Sequence, residues 1–145
     1  MKTILFVCTG NTCRSPMAEG LCNAMAKQEG WAVQAVSCGL AAFPGEPATP
    51  QAVKAARRYG ADLTGHRARA LSRYLLEEAD AVYCMTRRHR AAVLAAVPEA
   101  EGKIFCLGRK DISDPLGGSE AVYEQTAAEI QAALLQLFSQ KGAGA

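Results

Sequence analysis

Short runs of apolar and β-branched residues alternate along the chain with alanine-rich stretches whose apolar positions recur every three or four residues. The short runs have the length of buried strands, and the longer stretches have the period of helices that pack on one face. The runs predicted to be strands are Thr3–Cys8, Trp31–Cys38, Ala81–Met85 and Lys103–Leu107. Because strands separated by helices usually pair in parallel, the pattern predicts an α/β fold: a three-layer sandwich with a central four-stranded parallel sheet and helices on both faces.

Small polar residues, prolines and glycines mark where the helices begin and end. Ser15-Pro16 and Thr49-Pro50 each place a capping residue before a proline at the first helical position, and Gly30 and Gly60 stand where C-caps are expected. The predicted helices cover residues 16–29, 50–59 and 72–79, a stretch that starts at 86 and ends before Pro98, and a last helix after Ser119. The apolar residues predicted to pack this last helix on the sheet are Val122, Ala127, Ile130, Leu134, Leu137 and Phe138. Residues 141–145 are expected to fray.

Size and composition fit one domain without a membrane or nucleic-acid function. The chain has 145 residues, 50% of them hydrophobic, and no linker or repeat divides it, so we expect a single domain over residues 1–145. The formal net charge is +2 with acidic and basic residues interspersed, which argues against nucleic acid as the main partner. The first apolar run ends at Thr9-Gly10-Asn11, too short for a signal peptide, and no run is long enough to span a membrane. We expect a monomeric, cytoplasmic protein.

Six cysteines are spread along the chain without any C-x-x-C pair. They are Cys8, Cys13, Cys22, Cys38, Cys84 and Cys106. This spacing argues against a zinc site or a disulfide framework and favours reduced thiols. No metal and no other cofactor is predicted.

The segment FVCTGNTCRSPMAEG, residues 6–20, predicts a strand, a turn and a helix at the carboxyl edge of a parallel sheet, where ligands bind in such folds. Gly10 permits a positive φ and Asn11 tolerates one, so successive backbone N–H groups can converge into a nest for an anion, assisted by the positive end of the helix. The turn lacks the lysine of a nucleotide-binding G-x-x-x-x-G-K-[ST] loop. It therefore predicts a phosphate-sized oxyanion site.

Cys8 stands at the entrance of this turn and is the candidate nucleophile. A thiol that faces amide dipoles and Arg14 is expected to have a lowered pKa, and Ser15 can donate a hydrogen bond to its thiolate. The rigid fork of Arg14 can bind two oxygens of a phosphoryl transition state. The three residues predict attack on phosphorus and a cysteinyl-phosphate intermediate.

A second stretch, Cys84 to Arg90, has the same spacing of cysteine and arginine. It has no glycine or asparagine between its ends, and Ala91 stands where the first turn has its serine. We therefore predict that Cys84 is a structural thiol. His89 is predicted to lie on the solvated face of a helix.

A general acid is expected in the segment after the last strand, since that segment emerges at the same edge of the sheet. It contains Asp111 and Asp114, and Asp114 precedes Pro115, which stiffens the chain. From the residues alone, Asp114 fits a general acid and a turn-capping aspartate equally well.

The chain resembles the low-molecular-weight protein phosphatases in CTGNTCRSPMAEGL, in S-C-G around Cys38, in ATPQA, around His66 and in DPLGGS, which together cover essentially its whole length. The resemblance implies a four-stranded parallel sheet, no metal and no nucleotide. It implies Cys8 as nucleophile, Arg14 as phosphate ligand, Ser15 as stabiliser of the thiolate and Asp114 as general acid, with Asp111 a bystander.

The resemblance also implies that Asn11 is held in a strained conformation by a network that reaches Ser37 and His66. The loop residues that it assigns to phosphate binding and loop support are Thr9, Gly10, Asn11, Thr12, Cys13 and Ser15. Cys13 fits either a buried small side chain or, as the resemblance suggests, the partner of Cys8 in a reversible disulfide that protects the nucleophile.

Two positions bear on the substrate. Thr12 stands where many tyrosine-specific members have an aliphatic residue, and Leu116 follows Asp114-Pro115 where they have an aromatic pair. A polar side chain and a missing aromatic wall favour a polar, planar leaving group, and in both features the chain is more similar to the bacterial protein arginine phosphatases. The hypothesis is therefore a phosphatase for phosphoarginine on proteins, with a protein tyrosine phosphatase as the alternative.

Two other classes share such a loop. A thioredoxin-coupled arsenate reductase needs two further thiols near the third strand, and Cys84 has no partner in sequence before Cys106. A phosphate-binding module without catalysis normally lacks the nucleophile or the acid, whereas Cys8 and Asp114 are both present. Both classes are less favoured than a phosphatase.

Overall fold

The computed structural model describes residues 1–141, and within them four strands alternate with helices. The strands are β1 (Lys2–Cys8), β2 (Val33–Gly39), β3 (Ala81–Cys84) and β4 (Ile104–Cys106). The helices are α1 (Arg14–Glu29), α2 (Pro50–Arg57), α3 (Arg73–Glu78), α4 (Arg87–Ala96), a 3₁₀ helix (Pro98–Lys103) and α5 (Glu120–Lys141).

The four strands form one sheet in the order β2-β1-β3-β4, and every pair is parallel. β1 has β2 on one side and β3 on the other, so the chain changes direction beside the carboxyl end of β1. In open α/β sheets such a switch point is where ligands bind. The predicted fold class is confirmed, and the topology puts the segment after β1 at the centre of the functional edge.

The two faces of β1 belong to two separate cores, because successive side chains of a strand point to opposite faces. Phe6 packs with α1, α2 and α5, and Leu5 and Val7 pack with side chains of α3 and α4. Each fully buried side chain of this size contributes about 1.5–3 kcal/mol relative to exposure. Helices on both faces therefore hold β1, and the loop that follows it, in one position.

Two of the four predicted caps are confirmed and two are wrong. The Thr49 hydroxyl accepts from the N–H of Ala52 at the start of α2, and Gly30 ends α1 with a left-handed φ of 72°. Gly60 is not the C-cap of α2, because that helix ends at Arg57 and is capped by Arg58. Ser15 is not a cap, because α1 already begins at Arg14. The side chain of Ser15 is thereby released for contacts with the preceding loop.

The last helix buries the predicted stripe except at its first position. Val122 is 42% exposed, whereas its neighbour Tyr123 is buried together with Ala127, Ile130 and Leu134. Tyr123 can be buried because its hydroxyl contacts the Cys13 sulfur and accepts a hydrogen bond from the Thr49 hydroxyl. Within residues 1–141 no helix is long and apolar enough to cross a membrane. Of the residues predicted to fray, Lys141 is the last residue of α5, and residues 142–145 lie outside the described part.

Candidate active site

The loop between β1 and α1 folds back on the nucleophile that precedes it. Cys8 is the last residue of β1, and the backbone N–H of Asn11 points at its Sγ over 3.3 Å. Asn11 has a φ of 57°, the one positive φ of a non-glycine residue in the part of the chain that the structure describes. The predicted nest therefore turns at Asn11, and Gly10 does not adopt the positive φ that its residue type permits.

Asn11 is held by hydrogen bonds on every polar group of its side chain. Its Nδ2 donates to Ser15 Oγ at 2.8 Å and to Ser37 Oγ at 2.9 Å, and its Oδ1 accepts from the backbone N–H of Arg69 at 3.0 Å. Nε2 of His66 donates to the Asn11 carbonyl oxygen at 2.7 Å. A left-handed residue costs on the order of 1–3 kcal/mol unless its surroundings hold it there. These bonds, which include the Ser37 and His66 contacts implied by the resemblance, supply that restraint.

Two further residues support the network and were not found from the sequence. Glu19 accepts a short hydrogen bond of 2.6 Å from the Ser37 hydroxyl, and Arg69 donates both its backbone N–H to Asn11 and its Nε to the Ser37 carbonyl. Glu19 lies one helical turn after Ser15, so the spacing in α1 was an available signal for it. Arg69 holds Asn11 through its backbone N–H, a contact that no sequence pattern marks.

The environment of Cys8 differs from the prediction. Its Sγ lies 2.8 Å from Ser15 Oγ, as the sequence predicts. However, the thiol is buried, and burial raises its pKa above the ordinary value, against the lowering effects of the hydrogen bonds from Ser15 and Asn11 and of the Arg14 charge. The predicted lowering of the pKa is therefore wrong for this arrangement, because depth in the core outweighs the donors around the sulfur.

Arg14 contacts the segment that follows β4 and contains Asp114. Nη1 of Arg14 donates to the carbonyl of Ile112 at 3.1 Å, and its Nη2 lies 3.6 Å from Oδ2 of Asp114. The guanidinium is buried, whereas the Asp114 side chain is 56% exposed, with its Oδ1 accepting from the N–H of Leu116. Oδ1 of Asp114 therefore orders its own segment, and Oδ2 faces Arg14 at the exposed entrance of the site, which we call the mouth. Leu116 itself is 66% exposed.

Asp111 points away from this mouth. Its Oδ1 accepts hydrogen bonds from the backbone N–H and the guanidinium of Arg87, at 2.9 and 3.3 Å, at the start of α4. These bonds lower the pKa of the Asp111 carboxyl. The residue ties the two segments together, in keeping with its predicted bystander status.

Thr12 and Cys13 lie on the α2 and α5 side of the loop. The Thr12 carbonyl accepts from the N–H of Thr49 at 3.0 Å, and its half-buried hydroxyl lies 3.8 Å from the Cys13 sulfur. Cys13 Sγ is 3.3 Å from the hydroxyl of Tyr123, whose pKa burial and this thiol raise to about 12. Tyr123, which sequence reasoning did not identify, thus lies behind the phosphate loop.

The cysteines of the structure are all free thiols. Cys84 and Cys106 are register partners on β3 and β4, so they are neighbours although they are far apart in sequence. Burial raises the pKa of Cys84 to about 12, which fits the predicted structural thiol. In residues 1–141 no cluster of three or more histidine, cysteine or acidic side chains could hold a metal ion.

The prediction for His89 is wrong. Instead of facing solvent, it is only 4% exposed, and its Nε2 lies 2.9 Å from the Thr9 hydroxyl. α4 follows β3, the neighbour of β1, so its first turn packs beside the phosphate loop. The sequence offered no signal for this contact, because a histidine among three arginines has the composition of a solvated face.

Gly39 is another residue of the site for which the sequence predicted no role. It pairs with Cys8 at the end of β2, and a Cβ atom there would lie 2.5 Å from the Thr9 carbonyl oxygen and 2.9 Å from the Asn11 nitrogen. Both atoms belong to the backbone of the phosphate loop and cannot rotate away. The absent side chain is what permits the loop to lie this close to β2.

Gly39→Ala is therefore expected to displace the loop, with a loss of about 1–3 kcal/mol of stability from overpacking and a weaker affinity for inorganic phosphate. Urea unfolding and calorimetric titration with phosphate measure the two effects. Gly102→Ala is the matched control, because its Cβ meets nothing within 4 Å. Equal behaviour of the two variants would contradict the close-approach argument.

Comparison with known proteins gives concordant matches over nearly the whole chain. The family model described as low molecular weight phosphotyrosine protein phosphatase matches residues 3–143. A protein-arginine-phosphatase of Bacillus subtilis is 41% identical over 143 residues, which cover 94% of this chain and 95% of that protein. A probable low molecular weight protein-tyrosine-phosphatase, EpsP of Ralstonia solanacearum, is 37% identical over 90% of each chain.

Solved structures agree with this fold. The crystal structure of a YwlE mutant from Bacillus subtilis superposes with a TM-score of 0.92 at 39% identity, covering 97% of this chain and 99% of that one. The YwlE arginine phosphatase from Geobacillus stearothermophilus gives a TM-score of 0.89 at 33% identity, over 97% and 93% of the two chains.

Proposed function

The chain belongs to the low molecular weight phosphotyrosine protein phosphatase family, whose members are cysteine-dependent phosphatases, and within it we propose that this protein hydrolyses phosphoarginine on proteins through a cysteinyl-phosphate intermediate. The observation that carries the proposal is the loop that turns at Asn11, with Cys8 at its start and Arg14 at its end. It is built for an anion that the thiol can attack.

In the first step Cys8 is the nucleophile. Burial raises the pKa of this thiol, which must lose its proton before the sulfur can attack, and a phosphoryl dianion in the loop is a suitable acceptor. The result is a thiolate beside a phosphoryl monoanion, with no change in total charge. Ser15 Oγ lies 2.8 Å from the sulfur and 3.3 Å from the Cys38 carbonyl oxygen; its hydroxyl stabilises the thiolate when it donates its hydrogen bond to the sulfur instead of to Cys38. The S–P bond then forms while the P–N bond breaks.

Arg14 and Asp114 act on the two ends of the group that is transferred. The Arg14 guanidinium binds phosphoryl oxygens, whose charge is spread in the transition state. The departing nitrogen of phosphoarginine gains one proton, which balances the proton lost by the thiol. The Asp114 carboxylate, exposed at the mouth, pairs with the substrate guanidinium, takes the proton from the phosphoryl monoanion and passes it to the departing nitrogen.

Hydrolysis of the intermediate uses the same groups in reverse. A water molecule attacks the phosphorus of cysteinyl phosphate, and Asp114 takes one of its protons. The P–S bond breaks, Asp114 passes the proton that it took from water to the sulfur, and inorganic phosphate leaves as the dianion. No electron transfer and no further reactant is required.

Three observations support phosphoarginine as the substrate. Thr12 presents a hydroxyl in the loop, and the exposed Leu116 puts an aliphatic side chain after Asp114-Pro115 in place of an aromatic wall. Two of the relatives are named as protein-arginine-phosphatases. Because other relatives at 36–37% identity are named as protein-tyrosine-phosphatases, phosphotyrosine is the second candidate.

The decisive experiment measures kcat/KM of the reduced protein on a phosphoarginine peptide and on a phosphotyrosine peptide of the same sequence, with Cys8→Ser as the blank. A preference for phosphoarginine supports the proposal. A preference for phosphotyrosine overturns the substrate assignment and leaves the phosphatase chemistry in place. Turnover of neither peptide, with retained phosphate affinity, would favour a binding module.

Thr12→Ile is expected to shift the ratio of the two kcat/KM values toward phosphotyrosine by about tenfold, since removal of one polar contact is worth roughly that factor. The isoleucine removes the hydroxyl and adds apolar surface for a phenyl ring. Thr12→Ser is the control, because it keeps the hydroxyl. An unchanged ratio in Thr12→Ile would count against Thr12 as a selectivity residue.

The proposed redox role of Cys13 requires a change of partner. Its sulfur contacts Tyr123 and Thr49. A disulfide with Cys8 would remove these contacts and block the nucleophile in one step. We expect peroxide to inactivate the protein and a thiol reductant to restore its activity. This recovery should be smaller in Cys13→Ser, which cannot form the disulfide.

A further inference from the structure

His89 connects α4 to the residue that follows the nucleophile. Its Nε2 lies 2.9 Å from Oγ1 of Thr9, although the two residues are 80 positions apart in the chain. The backbone N–H of His89 donates to the Thr86 hydroxyl, so the ring belongs to the first, capped turn of α4. This turn is held beside the loop because β3, which precedes it, pairs directly with β1.

The contact complements a restraint on the other side of Thr9. There the Thr9 carbonyl accepts from the N–H of Ala41 at 2.9 Å, in the segment that follows β2. β2 and β3 flank β1, so Thr9 is held through its backbone from one neighbour and through its side chain from the other. Without the hydrogen bond between His89 and the Thr9 hydroxyl, Thr9 would be restrained from the β2 side only.

Only one nitrogen of the His89 ring has a hydrogen-bond partner. Nδ1 is buried and has no hydrogen-bond partner, whereas Nε2 faces Thr9. Burying an unpaired polar atom costs free energy that an apolar residue of similar size would not incur. A histidine that served only to fill space is therefore a poor explanation, and the bond to Thr9 is the feature that distinguishes it from an apolar residue.

The ring is also neutral where it lies. Burial is the main cause and the Arg14 guanidinium the second; with Arg88 they lower the pKa of His89 to about 4, against the opposing charges of Asp111 and Asp114. A neutral imidazole adds no charge next to the arginine that binds phosphate. It can hold the Thr9 hydroxyl without competing with Arg14 for the anion.

From this geometry we propose that His89 is a positioning residue of the phosphate loop, which fixes Thr9 through its Nε2 and so keeps the backbone N–H groups of the loop aimed at the anion. The inference rests on the proposed binding of phosphate in the loop and does not depend on the choice between phosphoarginine and phosphotyrosine. It assigns His89 no contact with substrate.

Two neutral variants of similar size test the role. The amide group of His89→Gln reaches the position of Nε2, whereas that of His89→Asn reaches only the position of Nδ1. We expect His89→Asn to lower kcat/KM on p-nitrophenyl phosphate and the affinity for inorganic phosphate by roughly threefold to tenfold, the net size of one lost hydrogen bond whose partner, Thr9, is exposed and can bond to water. His89→Gln is expected to restore most of both quantities.

Thr9→Val removes the other partner with little change of shape. It should reproduce the loss seen in His89→Asn, and the double variant should lose no more than either single one, because coupled residues are not additive. Thermal unfolding of each variant separates this effect from a general loss of stability.

Equal losses in His89→Gln and His89→Asn, or additive losses in the double variant, would overturn the positioning role. The calorimetric titration with inorganic phosphate keeps the test independent of turnover. If the unaltered protein binds phosphate but hydrolyses no phosphorylated substrate, the proposed function fails, while the comparison of the two His89 variants still decides the role of His89.

Discussion

Cys8→Ser is expected to abolish turnover, with a fall in kcat of at least about ten-thousandfold, the scale seen when a nucleophile is removed. Serine has nearly the same shape and can keep the hydrogen bonds to Ser15 and to the N–H of Asn11. Its hydroxyl, however, does not ionise near neutral pH and is a weak nucleophile. Phosphate release from a phosphopeptide under saturating conditions measures the effect.

The same variant should still bind inorganic phosphate, because the nest consists of backbone N–H groups and Arg14. Calorimetric titration measures the affinity of the variant for inorganic phosphate and shows whether the loop has kept its shape. The matched control is Cys84→Ser, which alters the cysteine of the other cysteine–arginine spacing; that thiol is buried in the core on the other face of the sheet from Cys8, and its pKa is raised to about 12. Cys84→Ser is expected to reduce stability and keep kcat. Residual turnover of more than a few per cent in Cys8→Ser would contradict the assignment of the nucleophile.

Asp114→Asn is expected to lower kcat/KM by about a hundredfold to ten-thousandfold, the range that general acid–base catalysis contributes. The asparagine keeps the shape and the hydrogen bond from the N–H of Leu116, but it can neither pair ionically with Arg14 nor relay a proton. The fall in kcat/KM should also depend on the substrate. It should be larger for more basic leaving groups, because they need the proton most.

A series of aryl phosphates of increasing leaving-group pKa, with the phosphoarginine peptide, measures this dependence. Asp111→Asn is the control, since that carboxylate accepts hydrogen bonds from Arg87 at the start of α4 and does not face the mouth. It should keep the unaltered profile. A loss in Asp114→Asn that is the same for every leaving group would assign Asp114 to loop order and not to proton transfer.

Much of the site is predictable because it is local. Cys8, Asn11, Arg14 and Ser15 lie within one strand-to-helix turn, and their chemistry follows from the order of residues in that turn. The parallel sheet follows for a similar reason, since alternating strand and helix periods leave few topologies. The approximate bounds of each element agree with the structure to within a few residues.

The parts that escaped prediction depend on neighbours in space. Gly39 matters because β2 brings its Cα against the backbone of Thr9 and Asn11, and the contact of His89 exists because β3 places α4 beside β1. The stripe of α5 was misjudged at Val122, since periodicity cannot show that Tyr123 finds partners for its hydroxyl in Cys13 and Thr49.

By itself the sequence determined the fold class, the phosphate loop and the residues at its two ends, because each of these depends on local periodicity or on a short, contiguous motif. The tertiary structure alone decided how deeply Cys8 is buried, and hence that its pKa is raised, as well as which distant groups hold Asn11 and Thr9. Burial and hydrogen bonds between strands depend on which segments pack together, and a linear pattern does not contain the distances that set their strength.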